Sequence, residues 1–171
     1  MNRVRVIATL AALVLVSGAL TGCVSLAIEG TDYVSDRVKY SRNIEAATDG
    51  DAEAQTAVGD ALCCSPESID WYCRAAEQGE SDAMFRLGQF YSGDAADAVG
   101  LFRLVGTLID DDKIDRAQAY YWFKKAAEMR HPEGLDAANG LELDSAERAD
   151  AEAYLSGRAT TGCSRRSGSA G

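Results

Sequence analysis

Histidine and proline are nearly absent from this sequence: His131, Pro66 and Pro132 are all there is of either. One imidazole excludes a metal centre built on clustered histidines and most hydrolytic machinery that uses histidine as its base. Two prolines, with 16 glycines among 171 residues, exclude collagen-like and proline-rich architectures. Basic residues are also few. Seventeen stand against 27 acidic ones, a net charge of −10, and a nucleic-acid binder needs a basic face to neutralise phosphates. No GxSxG, HExxH, GxGxxG or phosphate-loop motif occurs, so no catalytic residue and no cofactor is implied. What is present is apolar and charged: 47% hydrophobic and 26% charged residues. That balance supports a packed core in one domain of this length and argues against wholesale disorder.

The N-terminal segment stands apart. Arg3 and Arg5 precede a 15-residue apolar stretch from Val6 to Leu20, shorter than the ~20 residues a bilayer span needs. A basic start and a short apolar run read as a secretory signal. The run ends in Leu20-Thr21-Gly22-Cys23, which resembles the bacterial lipoprotein signal. That resemblance implies a diacylglycerol on the Cys23 sulfur, cleavage before Cys23 and acylation of the new N-terminus. Residues 1–22 would then be the signal peptide and 23–30 a tether. The mature chain would carry 15 basic and 27 acidic residues, a charge of −12. So acidic a domain is repelled by anionic lipid, and attachment to the membrane would come from the acyl chains, at ~0.8 kcal/mol per buried methylene. Val24 follows the cysteine where inner-membrane lipoproteins of the enterobacterial kind carry Asp. The implied location is the outer membrane, facing the periplasm.

Internal repetition points to the fold. Trp71-Tyr72-Cys73-Arg74-Ala75-Ala76-Glu77 aligns with Trp122-Phe123-Lys124-Lys125-Ala126-Ala127-Glu128, and Ile44-Glu45-Ala46-Ala47-Thr48 is a weaker copy. Gly50, Ala54, Val58-Gly59 and Leu62 recur at a shift of 29 residues as Gly79, Ala83, Leu87-Gly88 and Tyr91. The spacings 54/58/62 and 83/87/91 each form one helical stripe. Gly59 and Gly88 inside helices cost ~1 kcal/mol each against Ala. The same cost at the same place predicts a close helix crossing. Gly50 and Gly79 sit where a helix end favours positive φ. These motifs resemble the Sel1-like repeat family, relatives of the tetratricopeptide repeats, from Ile44 to about Leu143. The resemblance implies an all-α solenoid of helix hairpins over residues 31–158.

The departures from the repeat have their own expectations. The second unit is stretched, and Ala98, Leu101, Phe102, Val105 and Leu108 mark an inserted helix. In the third unit His131-Pro132-Glu133 replaces the glycine turn and Gly134 replaces the small alanine. Residues 149–155 would cap the stack, and 159–171 would be a flexible tail.

Besides Cys23 the chain has Cys63, Cys64, Cys73 and Cys163. An oxidising envelope favours pairing. Cys63 and Cys64 end one helix and Cys73 lies on the next helix of the same hairpin, within reach of the ~5.5 Å Cα separation a disulfide needs. Cys73 is therefore expected to pair with Cys63 or Cys64, the remaining one pairing with Cys163 or staying buried. No CxxC or paired histidine supports zinc. Asp110, Asp111, Asp112 and Asp115 lack the glycine turn and spacing of a calcium loop, and read as a solvated loop. His131 reads as structural.

Repeat stacks of this kind expose a groove lined by first helices. Gln55, Phe85, Arg86 and Gln89 lie off the core stripe there and are the candidates for binding another envelope protein. Phe85 stands out, because aromatic and arginine side chains dominate interface energetics. The competing expectation is a β-lactam-binding or hydrolysing role, associated with cysteine-rich Sel1-like proteins. Those carry paired cysteines in every repeat, whereas residues 83–130 contain none.

Overall fold

The computed structural model describes residues 35–62, 65–93 and 114–167. The signal peptide, Cys23, the tether, Cys63, Cys64, the inserted helix over 98–108, Asp110–Asp112 and the last four residues lie outside them. The chain divides into two units, Met1–Val38 and Lys39–Gly171. Of the first, only 35–38 are described, and they are helical.

All regular structure among the described residues is helical. Helix α1 spans 35–48, followed by α2 (Ala52–Ala61), α3 (Pro66–Glu77), α4 (Ser81–Ser92), α5 (Arg116–Glu128), α6 (Gly134–Gly140), α7 (Ser145–Leu155) and α8 (Gly162–Ser167). Acidic caps begin several of them. The Asp51 carboxylate accepts from the Ala54 N–H at 2.7 Å, and Asp115 accepts from the Gln118 N–H at 2.9 Å. Asp144 accepts from the Glu147 N–H at 2.9 Å while Glu147 accepts from the Asp144 N–H at 2.8 Å, a reciprocal capping box. Pro66 opens α3, where a missing N–H leaves nothing unsatisfied.

Helices α1, α3, α5 and α7 end alike. Gly50 donates to the Ala47 carbonyl at 3.2 Å and Asp51 to Ala46 at 3.0 Å. The same pair of bonds recurs from Gly79 and Glu80 to Ala76 and Ala75, from Arg130 and His131 to Ala127 and Ala126, and from Gly157 and Arg158 to Tyr154 and Ala153. The turning residues have φ of 105°, 91°, 68° and 72° in that order. This is the Schellman reversal, which satisfies the last helical carbonyls through one left-handed residue. The third turn corrects the expectation that His131-Pro132-Glu133 replaces it. Arg130 takes the left-handed position itself, in register with Gly50 and Gly79, so the reversal survives loss of its glycine.

The glycines inside helices mark close crossings, as their repeated cost predicts. A methyl group at Gly59 would lie 2.5 Å from Tyr72 Cε1. One at Gly88 would collide with the Phe123 ring, and one at Gly134 would stand 2.7 Å from the Ala127 backbone nitrogen. Tyr72 and Phe123 are the second aromatics of the two Trp-aromatic pairs. The core follows from these crossings. Ala83, Leu87 and Tyr91 are buried with Tyr72, Ala75, Trp122, Phe123 and Ala126, while Ala47 and Val58 form a smaller cluster under Ile44, Leu62 and Trp71.

The C-terminal segment is not the free tail expected from residue 159. Thr161 and Cys163 are buried, and α8 follows at once.

Gly134→Ala should destabilise the protein by about 1–3 kcal/mol, because backbone must move to admit the methyl group. Gly140→Ala, with nothing within 4 Å of the new Cβ, should be neutral or stabilising by up to about 1 kcal/mol. Chemical denaturation of both variants checks the contrast.

Candidate interaction surface and C-terminal strap

The four sequence-derived contact residues separate into two pairs. Gln55 is buried on α2. Its Nε2 donates to the Ala47 carbonyl at 3.1 Å and its Oε1 accepts from Gln78 Nε2 at 2.9 Å, tying α1, α2 and α3 together. Phe85 is 8% exposed. Its ring stacks on His131 at 4.1 Å and 13°, and meets Phe123 at 5.3 Å and 52°. Neither side chain lines an open groove. Residues 83, 87 and 91 account for only one side of α4, and the sequence leaves the opposite side unassigned. In the fold that side is covered by α5 and by the turn that follows it. His131 is held in turn from both ring nitrogens: Nδ1 accepts from the Glu133 N–H at 3.2 Å, and Nε2 lies 3.4 Å from Asp82 Oδ1.

Arg86 and Gln89 do reach the surface. Arg86 is exposed and Gln89 half-buried. Arg86 Nη1 donates to Gln89 Oε1 at 3.1 Å, and Arg86 Nε lies 3.0 Å from Asp60 Oδ1. Asp60 also accepts from Lys39 Nζ at 3.0 Å and from Tyr72 Oη at 3.0 Å. One carboxylate thus gathers donors from α1, α3 and α4. Isolated surface ion pairs contribute only about 0–1 kcal/mol. Here the shared acceptor fixes the guanidinium in place and leaves its outer face to solvent. Asp60 was not among the residues singled out from the sequence. Its partners stand 12, 21 and 26 residues away, beyond any local spacing rule. Elsewhere on α5, a hydrogen bond to Glu128 at 2.8 Å holds the Lys125 ammonium above its ordinary pKa.

The cysteines give the largest correction. Cys73 is bonded to Cys163, at a Cα separation of 5.3 Å and a sequence separation of 90. A sulfur in one disulfide forms no second one, so the expected bond from Cys73 to Cys63 or Cys64 is replaced. Cys63 and Cys64 stand only ten and nine residues from Cys73 in sequence, but nearness along the chain does not decide the pairing. Loop-closure entropy rises slowly with length, so a distant partner costs little more once the fold delivers it. The strap around Cys163 is held by more than sulfur. The Gly162 N–H donates to Gln118 Oε1 at 2.7 Å, and Gln118 Nε2 donates to Asp115 Oδ2 at 2.8 Å. The same Asp115 oxygen accepts from Tyr154 Oη at 3.1 Å. A methyl group at Gly162 would collide with Tyr91 Oη.

Among the described residues no group of three His, Cys, Asp or Glu side chains is placed to hold a metal ion, and no helix is long and apolar enough to cross a membrane. No family model matches the chain, and neither a curated protein nor a solved structure matches it.

Phe85→Ala should remove a packed core ring and destabilise the protein by about 3–5 kcal/mol. Denaturant titration measures this. Cys163→Ser should lower stability by about 2–4 kcal/mol, the usual worth of a disulfide closing a long loop. Non-reducing peptide mapping of the parent protein should recover Cys73 linked to Cys163.

Proposed function

We propose that this chain is a lipid-anchored helix-hairpin repeat protein of the Sel1-like kind, held at the periplasmic face of a bacterial outer membrane, where it serves as a non-catalytic scaffold for another envelope protein. The observation that carries this reading is the recurrence of one architectural unit. The same reversal follows Ala46-Ala47, Ala75-Ala76 and Ala126-Ala127, and the same glycine-on-aromatic crossing joins Gly59 to Tyr72 and Gly88 to Phe123. Stacked hairpins are binding scaffolds by construction, since each unit adds surface in register with the last. The anchor rests on Leu20-Thr21-Gly22-Cys23 behind its apolar run.

The contact surface of this reading is the Arg86–Gln89 face with Asp60 behind it. An arginine held in place loses little conformational freedom when a partner arrives. The acidic balance of the chain steers a neutral or basic partner toward it.

Two measurements test the reading. The intact mass of membrane-extracted protein should equal residues 23–171 plus a diacylglycerol and further acylation, and Cys23→Ser should stay unprocessed. A mature N-terminus elsewhere, without lipid mass, overturns the anchor. Arg86→Ala should leave the melting temperature nearly unchanged, as expected for an exposed pair, while reducing the yield of proteins crosslinked to the anchored chain. Unchanged crosslinking removes Arg86 from the interface.

A further inference from the structure

The C-terminal strap occupies a slot whose walls dictate what it accepts. Cys73 of α3, Tyr91 of α4 and Gln118 of α5 meet around Thr161, Gly162 and Cys163. At position 162 a Cβ would collide with Tyr91 Oη, so glycine fits where alanine would have to displace that side chain. The backbone N–H of that glycine is read by Gln118 Oε1 at 2.7 Å, and Gln118 is itself fixed by Asp115. The next residue places its sulfur on Cys73. A glycine, an oriented N–H and a thiol one residue later form a sequence-selective grip with a covalent end.

The strap is also easy to vacate. Helix α8 has six residues, far below the length at which a helix persists alone. Cys73 and Cys163 are buried, at 5% and 3% exposure, so exchange requires the strap to open.

We propose that this slot is a thiol-exchange docking site for a Gly-Cys segment of a partner chain, with the protein's own strap, whose Gly162 and Cys163 open α8, as its tethered occupant. The partner's cysteine thiolate attacks Cys73 Sγ. A new disulfide joins the partner to Cys73, the Cys73–Cys163 bond breaks, and its electron pair leaves on Cys163 Sγ, which takes a proton from water. One disulfide is consumed and one formed, so the step needs no other oxidant. The released strap then exposes Tyr91 and Gln118 to the incoming backbone. The site depends neither on the lipid anchor nor on the Arg86 face.

The test uses the full chain and two synthetic peptides, Thr-Thr-Gly-Cys-Ser and Thr-Thr-Ala-Cys-Ser, with glutathione as a third thiol. Each is added in millimolar excess without oxygen, because the tethered Cys163 competes at a comparable effective concentration. Acid quenching and peptide mapping then locate the added mass. The glycine peptide should couple to Cys73 about tenfold faster than the alanine peptide, the ratio expected if the methyl group costs about 1.4 kcal/mol. Glutathione should couple no faster than the alanine peptide. A second arm uses Cys163→Ser, in which the free Cys73 thiolate attacks the symmetric disulfide of either peptide and releases one peptide thiol. The same preference for glycine is expected there. If that variant does not fold, the parent protein decides alone. Equal rates for the two peptides, coupling confined to Cys163, or no coupling at Cys73 overturns the proposal.

Discussion

Where two helices of this chain must come closest, one of them lacks a side chain, and the rest of the packing depends on that constraint. Gly59 receives the Tyr72 ring, Gly88 the Phe123 ring, and Gly134 the backbone of α5 itself. Each contact replaces a Cβ with an aromatic face or a peptide plane, so dispersion is gained over a large area at the expense of helix propensity. Each also dictates the length of the reversal that precedes it. If the turn after α3 were one residue longer, Gly88 would rotate off the α5 contact by about 100°. The recurring Schellman bonds and the recurring glycines are therefore one device, and Arg130 shows how strongly it is imposed. A non-glycine residue holds a left-handed φ of 68° there, a conformation that costs roughly 1–2 kcal/mol.

Packing of this kind buries more of an interior helix than an amphipathic stripe implies. Helix α4 meets α3 on one side and α5 on the other, so Phe85 and Leu87 are both buried although they point in different directions. What remains open to solvent is the narrow strip between the two packed sides, where Arg86 and Gln89 lie. Even there the arginine is engaged by Asp60. The carboxylate joins three neighbouring helices and holds the exposed guanidinium at the same time.

The strap shows the opposite economy. Thr161, Gly162 and Cys163 lie outside the recurring motif, yet they reach α3, α4 and α5 through the Cys73–Cys163 disulfide, the hydrogen bond from Gly162 to Gln118 and the close approach of Gly162 to Tyr91. The chain Gly162–Gln118–Asp115–Tyr154 carries the strap's position on to α7. Buried polar groups linked in series stand or fall together, so the C-terminus contributes to the order of helices it does not cover.

The sequence by itself determined the helical character of the described residues up to Leu155, the stripe at 83, 87 and 91, the crossing glycines Gly59 and Gly88 and the reversals at Gly50 and Gly79. All of these arise from interactions within about one turn of the chain or from its 29-residue self-similarity. Propensity, periodicity and capping are local, and a linear string carries them in full. Only the tertiary structure decided that Phe85 faces His131, that Asp60 collects three donors and that Cys73 chooses Cys163 over nearer cysteines. These depend on which surfaces meet after the helices pack. Residues 90 positions apart have no shared period by which a sequence can announce that they touch. Proximity of that kind is created by the sum of many packed contacts, and it exists only once the core has formed.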